Sequence, residues 1–333
     1  MFLRSFRCLV PQLRITTTNG RFLPFTQGSR SICDRALLKL DMFDKEKTRF
    51  ASRISDLDSF WLRIISLDRV LEEDLKQAWV LADENELSTV IELSEKFFQN
   101  QPLFSTFRFG PLMMRTCHYL RKPETALEIF RNPKLTKLFD DAPSILLLMD
   151  LLYESGKFED AVAVYEYLCE IEWYFVLRHP FVAMLHVISL YKQGTKESLL
   201  KAQQCLRRVY VSPNIKAKLE TIVAGLALKL NDPRTAVNLV HRKALESELA
   251  FNIKIQGHIM LSEWDKVLKD LKHLKHHSLY EDTLMLILSS GEHLGQTSHL
   301  KSLKTTVGEK IVTPLTLHDI QEVRVSKKKK FYD

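Results

Sequence analysis

The 333-residue chain is 45% hydrophobic and 27% charged, with a net charge of +7, enough apolar material for a sizeable core. No apolar run reaches the roughly 18 residues a spanning helix needs, and a run such as Ile145–Met149 meets Asp150 at once, so a soluble protein without membrane insertion is expected. Five cysteines (Cys8, Cys33, Cys117, Cys169, Cys205) lack any CxxC spacing, which argues against a disulfide framework and for free thiols in a reducing compartment.

In chain order, residues 1–35 hold six arginines (Arg4, Arg7, Arg14, Arg21, Arg30, Arg35), no lysine and a single acid, Asp34. Phe2, Leu3, Phe6, Leu9 and Val10 supply an apolar face, and no secretory-type apolar core follows. That composition predicts a mitochondrial transit peptide rather than a plain basic arm, with cleavage near Arg30, within about 31–35. Its charge is +5, so only +2 of the total remains on the mature chain. The segment 36–75 reads as helical, with Phe60, Trp61, Ile64 and Ile65 covering the first full hairpin.

From there the chain repeats. Ile145, Leu148, Met149 and Leu152 form one apolar stripe at helical spacing, Gly156 ends that helix, and Phe158, Ala161, Val162, Tyr165 and Leu168 form a second stripe facing it. Ala161 marks where two antiparallel helices approach, and Ala126 holds the same place 35 residues earlier. Val90, Ala202, Ala236, Val267 and Leu300 extend the register, with three residues added to the turn after Gly194. Pro123, Pro133, Pro143, Pro180, Pro213 and Pro233 fall between helices. A helical hairpin recurring at this interval predicts an all-α fold without a sheet, a right-handed α-solenoid of helix-turn-helix repeats over 36–307. A basic tail over 308–333, with Lys327–Lys330, follows it.

Two repeat families have this period. The tetratricopeptide pattern wants an alanine seven residues after the register residue, where this chain has Pro133, Leu168, Val209, Lys243 and Leu274. MDLLYESGKFEDAVAVYEYL, with FRFGPLMMRTCHYL and KPETALEIF before it, instead resembles mitochondrial members of the pentatricopeptide repeat family over about residues 104–170. The resemblance implies a matrix protein that binds RNA in mitochondrial RNA processing and maturation, and so supports respiratory-chain expression.

It also implies one base-reading residue near the start of each first helix. Here those positions are Leu75, Pro111, Leu146, Met184, Thr221 and Asn252, of which only Thr221 and Asn252 carry hydrogen-bonding side chains. Charge points to the same half. Residues 36–172 carry 17 Lys/Arg against 25 Asp/Glu, and residues 173–333 carry 25 against 15. Lys201, Arg207 and Arg208 on one second helix, and Lys266, Lys269 and Lys272 on another, are the expected phosphate contacts. The alternative is a protein-binding scaffold, for instance on the mitochondrial ribosome, whose concave surface takes protein partners; the apolar residues at most reading positions favour it.

Chemistry has little support in the sequence. No P-loop, GxGxxG, HExxH or GxSxG occurs. His273, His276 and His277 share helical spacing but lack further ligands, and Asp140 and Asp141 read as caps. No enzyme, cofactor or metal is expected.

Overall fold

The computed structural model describes residues 33–54, 56–67, 69–100, 107–173, 177–240, 247–271, 279–293 and 311–312. They form helices α1 (Leu40–Ala51), α2 (Leu57–Ile65), α3 (Glu72–Leu81), α4 (Leu87–Asn100), α5 (Phe109–Tyr119) and α6 (Pro123–Arg131). A 3-10 turn (Thr136–Phe139) leads to α7 (Ala142–Glu154), α8 (Phe158–Glu170), α9 (Pro180–Gln193), α10 (Lys196–Arg208), α11 (Pro213–Lys229) and α12 (Pro233–Val240). Then come α13 (Glu248–Met260), α14 (Trp264–Leu271), strand β1 (Leu279–Tyr280), α15 (Glu281–His293) and strand β2 (Ile311–Val312). Among the described residues no helix is long and apolar enough to cross a membrane.

Helices α3 to α14 pair as six consecutive hairpins. Their first helices pack in order, α3 on α5, α5 on α7, α7 on α9, α9 on α11 and α11 on α13, while α8, α10 and α12 each lean on the first helix of the next hairpin. The result is an all-α stack of helical hairpins, each burying its apolar face on the next. Val90, Ala126, Ala161, Ala202, Ala236 and Val267 are all fully buried. Leu300 lies outside the described residues.

The turn inside the hairpin repeats more faithfully than the sequence does. Arg121, Gly156, Asn231 and Ser262 each sit five residues before a register residue, with φ of 53°, 73°, 61° and 59°. The residue after each donates its backbone N–H across the turn, Lys122 to Cys117, Lys157 to Leu152, Asp232 to Ala227 and Glu263 to His258, at 2.8–2.9 Å. This is the six-to-one bond that closes a helix with a left-handed residue at its end. Glycine is free there, whereas Arg121 and Ser262 are held in a conformation costly for L side chains. Gly194 (φ 65°) closes α9 with a left-handed residue as well, its own N–H donating to the Leu190 carbonyl at 3.1 Å, and α10 begins two residues later, as α8 does after Gly156. The three residues expected in that turn are therefore not in it. Ala202 sits one helical turn deeper, on the same side of α10 as the buried Leu199.

Pro123, Pro143, Pro180, Pro213 and Pro233 open α6, α7, α9, α11 and α12 within their first two positions, where a missing N–H costs nothing. Asp141 caps α7, its carboxylate accepting the Ser144 N–H at 2.7 Å and the Ser144 hydroxyl at 3.1 Å. Gly110 admits the 3-10 turn against α5, since a β-carbon there would collide with the Leu138 carbonyl.

At the front, α1 lies over α3 and α5, with Leu40 and Phe43 buried and the Phe43 ring 5.6 Å from Tyr119. Phe60 and Ile64 of α2 enter the core as expected, but Ile65 is 54% exposed, because α1 shares the covering role. Cys33 is buried as well, so at least one residue of the stretch assigned to the leader is packed into the fold.

At the back, Leu279 and Tyr280 pair in parallel with Ile311 and Val312. This small ladder departs from the expectation of no sheet, and its second strand lies in the stretch assigned to the basic tail. It forms where the Asn252 amide oxygen accepts the Tyr280 N–H at 2.9 Å and β-branched residues supply the partner strand.

Candidate nucleic-acid interface

Helix α10 owes its two faces to spacing. Leu199, Ala202, Cys205 and Leu206 are buried, which turns Lys196, Arg207 and Arg208 outward. Its C-terminal end runs into Tyr210, 78% exposed, with the Arg178 guanidinium 5.7 Å from the ring centre. An exposed aromatic ring beneath one guanidinium, just past the exposed Arg207 and Arg208 in sequence, is a combination that can stack bases and hold phosphates. The sequence reading named Arg207 and Arg208 and missed Tyr210 and Arg178. The signal lay in the run Arg-Arg-Val-Tyr, where the alternation of cation and aromatic mattered more than the charge.

Behind this edge α8, α9 and α10 border an open pocket of about 310 Å³, lined by Tyr165, Glu166, Cys169, His186, Lys201 and Arg208 among others. Tyr165 and His186 stack at 3.9 Å with 13° between planes, and the Tyr165 hydroxyl lies 3.4 Å from Cys205 Sγ. Burial, with the nearby Lys201 charge, pushes the His186 imidazole down to about 3, so it is neutral. Burial likewise pushes the Cys205 thiol up to about 11. Neither group is poised for chemistry at neutral pH.

The remaining predicted residues divide. Lys201 Nζ is held by Glu166 at 2.9 Å and Glu197 at 3.2 Å, so its charge is largely spent inside the protein. Lys266 and Lys269 are exposed on α14, Lys266 with Glu263 at 2.8 Å, and they lie two hairpins from α10. Lys272, His273, His276 and His277 fall outside the described residues. Thr221 and Asn252 differ most from expectation. Thr221 is 5% exposed and its hydroxyl donates to the Ala217 carbonyl at 2.8 Å. Asn252 is 1% exposed, its amide nitrogen donating to the Glu248 carbonyl at 2.8 Å while its oxygen holds Tyr280. Both polar groups are satisfied within the fold and present no free edge to a base. Of the other reading positions, Leu75, Leu146 and Met184 are buried too.

Comparisons with known proteins agree with the repeat. The mouse protein named pentatricopeptide repeat-containing protein 2, mitochondrial, is 25% identical over 305 residues, covering 82% of this chain and 79% of its own length. Its human counterpart is 28% identical over 168 residues, covering 50% of this chain and 42% of its own. The Xenopus laevis protein of that name is 28% identical over 149 residues, 41% of this chain and 38% of its own. The similarity thus extends well beyond residues 104–170. No solved structure matches. A match to mitochondrial 28S ribosomal protein S27 spans residues 78–321, from α3 through the last described strand, and by that span the chain belongs to the mitochondrial 28S ribosomal protein S27 family.

Proposed function

We propose that the chain is a non-enzymatic RNA-binding protein of the mitochondrial matrix, a right-handed solenoid that holds single-stranded RNA along its back half during mitochondrial RNA processing and maturation. The observation that carries this reading is the exposed Tyr210 with Arg178 over its ring, following the exposed Arg207 and Arg208 at the end of α10, in the half that holds 25 basic against 15 acidic residues. Phosphates are gripped by cations and bases stack on the ring, so contact is sequence-tolerant. Base readout by Thr221 and Asn252 forms no part of the proposal, because both are engaged in the core. Lys266 and Lys269 add a second patch of phosphate contacts. The arginine-only leader supports import into mitochondria, as do the relatives' names.

A specific observation favours a second reading, a scaffold on the mitochondrial ribosome. The family is named for a ribosomal protein, and most reading positions are apolar. RNA titrations at increasing salt separate the two. Single-stranded RNA binding by the purified protein should weaken as salt rises, with a log–log slope of roughly −0.7 per neutralised phosphate. Arg207→Ala with Arg208→Ala should flatten that slope, and Lys266→Glu with Lys269→Glu should flatten it further. Tyr210→Ala should cost about tenfold in affinity and leave the slope in place. No binding at low salt would leave the scaffold as the function.

A further inference from the structure

The open pocket bordered by α8, α9 and α10 reaches Arg208, two residues before Tyr210, so it adjoins the edge proposed to hold RNA. Its floor consists of the buried Tyr165 and His186 rings, stacked on each other, and its rim carries the exposed Glu170, Gln204 and Arg208. The polar groups differ in what already occupies them. Glu166 is committed to Lys201 at 2.9 Å. The side chains of Glu170, Gln204 and Arg208 have no hydrogen-bond or ion-pair partner among the described residues.

At about 310 Å³ the pocket stands at the lower end of the roughly 300–1,000 Å³ usual for small-molecule sites, room for one flat heterocycle. The three free groups define what that heterocycle should offer. A carboxylate only accepts hydrogen bonds, so Glu170 calls for a donor on the ligand, while the Gln204 amide both donates and accepts. The Arg208 guanidinium suits a phosphate oxygen. An amino-bearing base attached to a phosphate meets all three demands. Adenine and cytosine carry such an amino group, whereas uracil places a carbonyl oxygen there and would set acceptor against acceptor.

On the RNA-binding reading above, we propose that this pocket takes one base out of the bound strand and selects adenine or cytosine over uracil. Glu170 accepts from the exocyclic amino group, Gln204 pairs with the neighbouring ring atoms, and Arg208 holds the attached phosphate at the mouth. The next base along the strand is then within the reach of Tyr210, so one selective position sits beside a tolerant one. The sequence hid this set because Glu170 ends one hairpin, whereas Gln204 and Arg208 belong to the next.

Labelled oligo(A), oligo(C) and oligo(U) of equal length, titrated with the full chain at low salt, test the pocket. Oligo(A) and oligo(C) should bind about five- to tenfold more tightly than oligo(U). Glu170→Gln, at an exposed position that tolerates an isostere, should bring that ratio close to one, because an amide can donate to the uracil carbonyl. A second readout uses the half-buried Cys169 thiol in the pocket lining. Saturating oligo(A) should slow maleimide labelling of Cys169, located by mass spectrometry, several-fold. Equal affinity for the three oligomers, a preference that Glu170→Gln leaves intact, or labelling that oligo(A) does not slow would overturn the pocket and leave RNA binding at Tyr210 standing. Failure to bind any of the oligomers would overturn the RNA reading itself, and the pocket with it.

Discussion

Between α3 and α10 charged side chains reach from one hairpin to the next. Lys122 meets Glu84 at 2.5 Å, Lys157 meets Glu124 at 2.9 Å, Lys134 meets Glu95 at 2.5 Å and Lys201 meets Glu166 at 2.9 Å. Every partner lies close to one repeat away in sequence. Behind α10 the pairs Lys254–Asp270 at 2.7 Å, His258–Glu263 at 2.7 Å and Lys266–Glu263 at 2.8 Å each close within one hairpin. The cores differ in the same direction. One cluster runs from Cys33 to the near side of α13 and Tyr280, whereas Phe251, Ile255, Ile259, Val267, Leu271, Leu279 and Ile287 form a smaller one at the back. Exposed pairs are worth only about 0.2–1 kcal/mol each, so the front ladder sets the register of the stack more than it stabilises it. Its consequence is for the surface. The front uses bases to hold acids of the neighbouring hairpin, whereas from the end of α10 onward Arg207, Arg208, Arg234 and Lys269 face outward.

The largest test of this division places a charge in each core. Leu152 is fully buried in α7, and Ile255 is fully buried in the back cluster. An unpaired carboxylate at either place should cost more than about 4 kcal/mol locally. Leu152→Asp should abolish the cooperative transition, because α7 packs on α5, α8 and α9 together. Ile255→Asp should melt the last hairpin and α15 alone and keep most of the helical signal. Circular dichroism with limited proteolysis separates these outcomes; equal loss of helix in both variants would mean a single cooperative unit.

A smaller effect sharpens the junction between the halves. His186 of α9 is stacked on Tyr165 beside Lys201, and burial lowers its pKa from 6.5 to about 3. The unfolded chain therefore binds a proton between these values that the folded chain refuses, so stability rises with pH through that window and is fully present above 6.5. At pH 5.5 the loss relative to neutral pH is on the order of 1 kcal/mol. His186→Phe keeps the stacking and removes the titration, so its urea midpoint should fall less between pH 7.5 and 5.5 than that of the parent. His179, also lowered by burial, keeps part of the slope in both. Identical pH slopes would mean that His186 is not held neutral.

The fold was legible where apolar spacing set it. Ala126, Ala161 and Ala236 announced the hairpins because a close helix crossing admits only a small side chain, and all three are fully buried. Gly156 announced its turn because glycine alone is free at positive φ. The equivalent turns at Arg121 and Ser262 gave no such signal, since the six-to-one backbone bond and the packing of flanking helices impose the conformation on residues that do not prefer it. Site residues were legible only as charge. Arg207 and Arg208 are exposed as expected, but counting positions along a repeat did not reveal that Asn252 would be drawn inward to hold Tyr280, a partner 28 residues away. Long-range pairing of that kind leaves no local pattern.

The smallest effect compares the shared turn itself. If one backbone geometry recurs across the stack, its cost should depend on the residue placed there and little on the half of the molecule. Arg121 (φ 53°) is exposed between α5 and α6, and Ser262 (φ 59°) is exposed between α13 and α14. Each pays a steric penalty that glycine avoids, offset in part by the greater freedom of glycine in the unfolded chain. Arg121→Gly should therefore stabilise the front by about 0.5–1 kcal/mol, and Ser262→Gly should do about the same for the back. Asn231→Gly should change little, because asparagine already tolerates the left-handed region. Hydrogen exchange in α5 and in α13 reads each half separately. Stabilisation at Arg121 without any at Ser262 would show that the back turn is set by its own packing and not by the repeat.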